Sequence, residues 1–215
     1  MKEEHFSTLR TARFYRLGEI GYKTKELWFV FHGYGQLANE FLAIFSGHEN
    51  ERTAIVAPEG LSRFYKNGLL GSTGASWMTK EDRDSEIKDY LIYINSLYHH
   101  LTAGLNVAKM NINLLGFSQG AATVFRVFAH NKFKVAKLVM ISAPPPKDID
   151  YKKTRILSAS TGIKILAGKE DALFRLEKTK ESLIPFNESK VKYDFIIFDG
   201  GHKIDKELIR RYNLL

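Results

Sequence analysis

With 215 residues, 44% of them hydrophobic and 26% charged, the chain has the composition of a folded globular domain and the length to bury a core without a disulfide or metal staple. The absence of cysteine excludes disulfides, cysteine-ligated zinc, iron–sulfur clusters and a thiol nucleophile. The net charge of +8, from 32 Lys and Arg against 24 Asp and Glu, admits an anionic partner. The basic residues are scattered, however, with only doublets at Lys152-Lys153 and Arg210-Arg211, so they form no stripe for nucleic acid.

The predicted elements alternate. Thr11 to Ile20 reads as an antiparallel edge strand. Nearly continuous apolar runs follow at Glu26–Phe31, Ala54–Ala57, Ile112–Leu115, Lys137–Ile141, Ile163–Ala167 and Phe195–Phe198, each closed by a Gly- or Pro-containing turn. Runs of this kind suit strands buried on both faces of a parallel sheet. Helical patterns lie between them. In Glu81–Leu101, Ile87, Leu91, Ile94, Leu97 and Leu101 recur at spacings of three and four, which places them on one helix face. Gln119–His130, Ala172–Ile184 and Lys203–Tyr212 are further helices. The alternation predicts one α/β domain over residues 1–215, a mostly parallel sheet with helices on both faces. No apolar run approaches membrane-spanning length and no signal-peptide core opens the chain, so a cytoplasmic protein is expected.

In such sheets function collects at the carboxyl ends of the strands. There Gly116-Phe117-Ser118-Gln119-Gly120 matches G-x-S-x-G, the sharp strand-to-helix turn that lifts a serine hydroxyl above the sheet. The pattern alone is short, and a plain turn with Ser118 as helix cap is the alternative. An apolar run ends at the motif and a helical pattern begins at it, as the nucleophile elbow requires.

A serine hydroxyl needs a base to take its proton. Of seven histidines, only His130 and His202 follow Ser118, as the chain order of this fold demands. His130 lies at the far end of the helix that Ser118 opens, about 18 Å away at 1.5 Å per residue. His202 follows an apolar run and Gly200-Gly201, and is the candidate base. Among the acids between Ser118 and His202, Glu170 and Asp171 follow a buried-type strand; either could orient the imidazole. Asp199 reads as a turn residue. For an oxyanion, the Gln119 amide supplies one donor. The loop His32-Gly33-Tyr34-Gly35-Gln36 offers the second at Tyr34 or Gly35.

Taken together, these segments resemble the α/β-hydrolase superfamily. Within it they resemble the phospholipase/carboxylesterase family of small serine esterases, which includes acyl-protein thioesterases. The matching pieces are His32-Gly33-Tyr34-Gly35, Ala57-Pro58, Ser76-Trp77, Gly116-Phe117-Ser118-Gln119-Gly120, Gly168-Lys169-Glu170-Asp171 and Gly200-Gly201-His202, spanning residues 26 to 212. The resemblance implies Ser118 as nucleophile, Asp171 as orienting acid, His202 as general base, and Trp77 as a lining residue of the substrate groove. It implies a serine esterase acting on carboxylic esters, or an acyl-thioesterase or lysophospholipase of the same fold, with no metal or organic cofactor. A hydrolase-like binding protein without turnover is the different-class alternative.

About twenty residues separate the Lys137–Ile141 and Ile163–Ala167 runs, too few for a cap domain. An open groove for short to medium acyl chains is therefore expected, with Tyr65, Leu69, Leu70, Trp77, Leu173 and Phe174 as apolar candidates. The expected partner is a small-molecule ester or thioester, with no nucleic acid and no stable membrane insertion.

Overall fold

The computed structural model describes residues 1–130 and 133–215. Its centre is a seven-stranded sheet, built from β1 (Phe14–Leu17), β2 (Glu26–Phe31), β3 (Thr53–Pro58), β6 (Asn111–Phe117), β7 (Lys137–Ile141), β8 (Gly162–Gly168) and β9 (Asp194–Phe198). The order across the sheet is β1-β3-β2-β6-β7-β8-β9. Only β1 runs antiparallel, pairing Phe14 with Pro58 and Leu17 with Ile55 of β3. A separate hairpin of β4 (Ser62–Tyr65) and β5 (Thr73–Ser76) stands beside it.

The apolar runs are all strands; those inside the sheet are covered on both faces, whereas β9 lies at the edge, with Ile197 exposed and only Phe198 buried. Along β2, Leu27 through Phe31 are all buried, and alternate side chains enter opposite cores. Leu27, Phe29 and Phe31 join the core beneath the helices α2 (Arg83–Thr102) and α3 (Gln119–His130). Trp28 and Val30 join the core on the other face, with Phe41 and Leu42 of α1 (Ala38–Leu42) and Ile209 of α7 (Lys206–Arg211). The expected helices on both faces are therefore present, without a cap domain. On α2 the fully buried stripe runs through Tyr90, Ile94, Leu97 and Tyr98, while Ile87, Leu91 and Leu101 pack at its margins. Each such apolar side chain contributes roughly 1.5–3 kcal/mol on full burial.

The predicted Ala172–Ile184 helix is shorter than expected: residues 172–175 belong to the turn after Asp171, α5 spans Leu176–Ser182, and a second helix, α6 (Ile184–Glu188), begins at Ile184. Pro185 opens α6 and lacks the amide that a continuing helix would need. Between β7 and β8 lie a proline-rich loop and α4 (Tyr151–Ser158), capped by the Asp150 carboxylate. That is all the connection contains.

Two contacts fix the edge at which β6 ends. A Cβ on Gly120 would stand 2.2 Å from the Phe31 carbonyl oxygen of β2, and one on Gly116 would stand 2.2 Å from the Gly120 carbonyl oxygen. Only glycine allows α3 to approach the sheet this closely. Beside them His32 is fully buried: its Nδ1 is 2.8 Å from the Gly33 carbonyl oxygen, and its Nε2 accepts from the Gly60 amide at 3.0 Å. Burial pulls the imidazole below its ordinary pKa, against the opposing pull of the Gly33 carbonyl and Glu59. Glu59 itself is buried as a carboxylate, accepting from Arg63 at 2.7 Å, from Arg13 at 2.7 Å and from the Ala38 amide at 3.2 Å. Desolvation opposes its charge, but these donors outweigh it and hold the carboxyl below its ordinary value.

Two outcomes follow from this packing. Gly120→Ala should destabilise the protein by about 3 kcal/mol, read from the urea midpoint, because backbone rather than a movable side chain meets the new methyl. The second concerns pH. Below about pH 6.5 an unfolded His32 takes a proton that the folded one refuses, so its contribution is complete above that pH and is lost below it. The Glu59 contribution is complete above its ordinary range and is lost as pH falls through its depressed folded value. Stability should thus begin to fall below about pH 6.5 and fall further below about pH 4.3. A ¹⁵N imidazole shift for His32 in the folded protein that turns cationic already at pH 6 would contradict this account.

Candidate functional site

The site forms where β6 gives way to α3. Ser118 occupies the turn with φ +54°, the left-handed region that a side-chain-bearing residue enters only under constraint. Its amide donates to the Ile141 carbonyl of β7 at 2.9 Å, which anchors the turn to the neighbouring strand. The hydroxyl is thereby lifted above the sheet edge. Strain held at such a turn is tolerated because the surroundings over-determine it, and here the two glycine contacts and the Ser118 amide do so.

Two loops from neighbouring strands meet the serine. After β8, the Asp171 carboxylate is buried, and its Oδ1 accepts from the Leu173 and Phe174 amides at 2.9 and 2.8 Å. The loop after β9 is tied to the loop after β8 by Lys169 N–H to Phe198 O at 2.9 Å and Glu170 N–H to Gly200 O at 3.0 Å. His202 then stands with Nδ1 2.8 Å from Asp171 Oδ2 and Nε2 2.9 Å from Ser118 Oγ. With Nδ1–H donating to the carboxylate, Nε2 is free to accept from the serine hydroxyl. Phe117 and Phe174 rings flank the imidazole at centroid distances of 5.0 and 5.6 Å. Glu170, the other candidate acid, points its side chain to solvent and contributes only backbone.

The loop after β2 completes the arrangement. Its amides at Gly33, Gly35 and Gln36 are already bonded, to the Gln36 side chain, to Ala75 O and to Gly33 O respectively. Among the described residues nothing accepts from the Tyr34 or Gln119 amides. Of the two candidates for a second donor, Tyr34 is therefore the one with a free N–H. The Tyr34 ring, largely exposed, stacks on Phe64 of the hairpin at 5.0 Å.

A groove of about 1180 Å³ opens from Ser118 and Gln119. Its lining comes from the segment after β7, with Ala143 to Lys147, Ile149 and Tyr151, from the segment after β8, with Leu173, Phe174, Lys178, Glu181 and Pro185, and from Met78 and Tyr34. The volume exceeds most small-ligand pockets, and the lining is mainly apolar, as ligand sites are. The proline run fixes its wall because each ring locks φ. Asp148 holds the same segment to the helices: Arg126 of α3 grips it through Nε at 2.9 Å and Nη2 at 3.0 Å, and Arg83 of α2 adds a bond at 3.1 Å.

Trp77 does not line this groove, contrary to expectation. It is 2% exposed. Its indole N–H donates to His32 O at 2.9 Å, and its ring packs against Phe31, His32 and Tyr90. A large ring with one polar edge is best accommodated where that edge finds a carbonyl, and the core beneath α2 supplies one. The next residue, Met78, takes the groove position. The Gln119 side chain sets this register, accepting from the Trp77 amide at 3.0 Å and donating to Met78 O at 2.7 Å. Tyr65, Leu69 and Leu70 are exposed on the hairpin and its tip, outside the groove, whereas Leu173 and Phe174 are part of it. Sequence reasoning missed the 143–149 wall, α5 and Pro185. The Pro144-Pro145-Pro146 run directly after a buried strand was the available signal.

The chain matches the phospholipase/carboxylesterase family over residues 21–212. No curated protein matches it significantly. Solved structures share its fold at low identity. Acyl-protein thioesterase 2 from Zea mays superposes with TM-score 0.71 at 16% identity, over 94% of this chain and 96% of that one. Esterase PE8 gives 0.70 at 18%, over 95% and 97%. A phospholipase/carboxylesterase from Dyadobacter fermentans gives 0.67 at 15%, over 97% and 99%. With the family matched across most of its length and the sheet and helices arranged as in these neighbours, the chain has the α/β-hydrolase fold and belongs to the phospholipase/carboxylesterase family.

Proposed function

We propose that this protein is a serine esterase that hydrolyses carboxylic esters of short to medium acyl chains through an acyl-enzyme, in a single hydrolase domain. The observation that carries the reading is the unbroken hydrogen-bonded line from Ser118 Oγ through His202 to Asp171, at 2.9 and 2.8 Å. Two unbonded amides beside the serine support it. An inactive binding protein has no need of this alignment.

In the proposed reaction Ser118 Oγ attacks the ester carbonyl as its proton passes to His202 Nε2. Asp171 keeps Nδ1 protonated and stabilises the imidazolium that forms. The carbonyl electrons move onto oxygen, and that oxyanion accepts from the Tyr34 and Gln119 amides. Each such donor is worth about 2.7–4 kcal/mol of transition-state stabilisation. The oxyanion re-forms the carbonyl and expels the alkoxide, which takes the Nε2 proton and leaves as alcohol. Water then attacks the acyl-enzyme, with Nε2 again taking the proton, and Ser118 leaves with that proton as the carboxylic acid departs. Every group used belongs to this chain, so the scheme calls for no metal or organic cofactor. The absence, among the described residues, of a helix long and apolar enough to cross a membrane suits a small-molecule substrate and a cytoplasmic protein.

A second reading, acyl-thioester hydrolysis, draws on the structural likeness to the maize acyl-protein thioesterase. The same groups would serve it, with a thiolate as leaving group. A panel of p-nitrophenyl esters and acyl thioesters of graded chain length separates the two by kcat/KM.

Ser118→Ala should lower kcat/KM on p-nitrophenyl butyrate by about 10⁴-fold or more while leaving the urea midpoint within experimental error of wild type, and should abolish labelling by a fluorophosphonate probe. Wild-type protein that resists the probe, or an alanine variant that keeps its activity, would show the assignment to be wrong. Asp171→Asn should retain probe labelling at a greatly reduced rate, with kcat down by about 10⁴-fold through the wrong histidine tautomer.

A further inference from the structure

The groove that starts at Ser118 has an uncompensated charge at its rim. Lys147 lines the groove and is exposed. Among the described residues it makes no ion pair or hydrogen bond, whereas the other groove lysine, Lys178, is matched by Glu181 at 2.8 Å. The adjacent carboxylate, Asp148, is already committed. Arg126 holds it through both oxygens and Arg83 reaches it at 3.1 Å. Arg83 also reaches the exposed Asp84 at 3.6 Å, so the two guanidiniums and two carboxylates balance one another, and Asp148 is not paired with Lys147. The surface next to Lys147 is Pro144, Pro145, Pro146 and Ile149. Apolar walls of this kind focus the field of a nearby charge along the groove rather than dispersing it.

Resting on the reading of Ser118 as the esterase nucleophile, we propose that the groove takes acyl chains ending in an anion, and that Lys147 selects them. The apolar segment of the chain lies along the prolines and Phe174, and its terminal carboxylate or phosphonate meets the Lys147 ammonium. A neutral chain of equal length fills the same wall but leaves the ammonium unpaired. Lysine suits this task as a flexible point charge that serves chains of more than one length.

The test compares 4-nitrophenyl octanoate with the mono-4-nitrophenyl ester of octanedioic acid, which has the same carbon count and a terminal carboxylate. A third ester ends in a phosphonate and distinguishes the two anions. In wild type, kcat/KM should favour the anionic esters by about fivefold in low salt, the size of a single partly exposed ion pair. Most of that preference should vanish in 0.5 M NaCl, where screening acts within a few ångströms. Lys147→Gln should bring the ratio of anionic to neutral kcat/KM to about one, and Lys147→Glu should invert it. Lys109→Glu, the same charge change just before the amino end of β6 and so at the opposite edge of the sheet, should leave the ratio as in wild type. Hydrolysis of the neutral ester with no preference for either anion overturns this proposal and leaves the nucleophile assignment standing, as does a preference that survives Lys147→Gln. Hydrolysis of none of the three overturns both.

Discussion

The whole site depends on how closely α3 is pressed against the sheet. With Gly120 in contact with the Phe31 carbonyl and Gly116 in contact with the Gly120 backbone, β6 and α3 meet in a turn with no slack. That lack of slack is what keeps Ser118 at φ +54°. It also sets the position of the Gln119 amide, which cannot rotate away without lifting the helix. The same closeness brings the end of β2 alongside, so the loop that begins at His32 starts within reach of the serine: Gly33, if given a Cβ, would meet Ser118 Cβ at 3.3 Å. One steric constraint thus places the Ser118 hydroxyl and the Gln119 amide, and brings the loop that carries the Tyr34 amide close to them.

The histidine and the acid are located by a similar but independent device. A Cβ on Gly168 would lie 2.7 Å from the carbonyl oxygens of both Gly200 and Gly201, so the loops leaving β8 and β9 lie directly on one another. Two backbone hydrogen bonds then fix their register. In that register Asp171, not Glu170, faces the imidazole, because Glu170 spends its amide on the loop contact and its side chain is turned outward. The carboxylate of Asp171 is further held by two amides on its other oxygen. The imidazole is therefore oriented by groups that do not themselves have to move during a reaction.

Most of this was legible in the sequence, for a physical reason. Strands buried on both faces need uninterrupted apolar residues, so β2, β3, β6, β7 and β8 announce themselves within a residue or two of their observed ends, while β9 has the apolar run Phe195–Phe198 but lies at the sheet edge with Ile197 exposed. The glycines beside Ser118, the only histidine that could reach it and the acids after β8 follow from chain order and spacing. Where reading failed, the pattern was weaker than the tertiary context. The hairpin β4–β5 is four residues per strand with Gly74 in the middle, too short and too polar to stand out. The apolar residues from Ala172 to Ile184 continue a helical period that Pro185 then resets. Trp77 was misplaced because a tryptophan near a site can face either way, and its hydrogen bond to His32 O, which no spacing reveals, turns it inward and leaves Met78 in its stead.

The groove wall shows what a half-buried ion pair can contribute besides stability. Placing Arg126 at 3% exposure beside a carboxylate costs desolvation that offsets much of the pairing, and such pairs can often be replaced by apolar residues without loss. Asp148 is nonetheless held well ionised, its carboxyl drawn below the ordinary range by the Arg126 hydrogen bonds and charge in spite of its burial. What the pair supplies is register. The segment after β7 has three consecutive prolines and few backbone donors, and besides the Tyr151 hydroxyl, which donates to Pro146 O, and the Ser142 amide, which donates to Leu166 O, the arginines are what position it. Two arginines, one from α2 and one from the helix that carries Ser118, fix a single point on it, and the prolines transmit that position to the rest of the wall. These contacts shape the groove wall, and the backbone of Lys147, one residue before the fixed point, is carried with it to the rim.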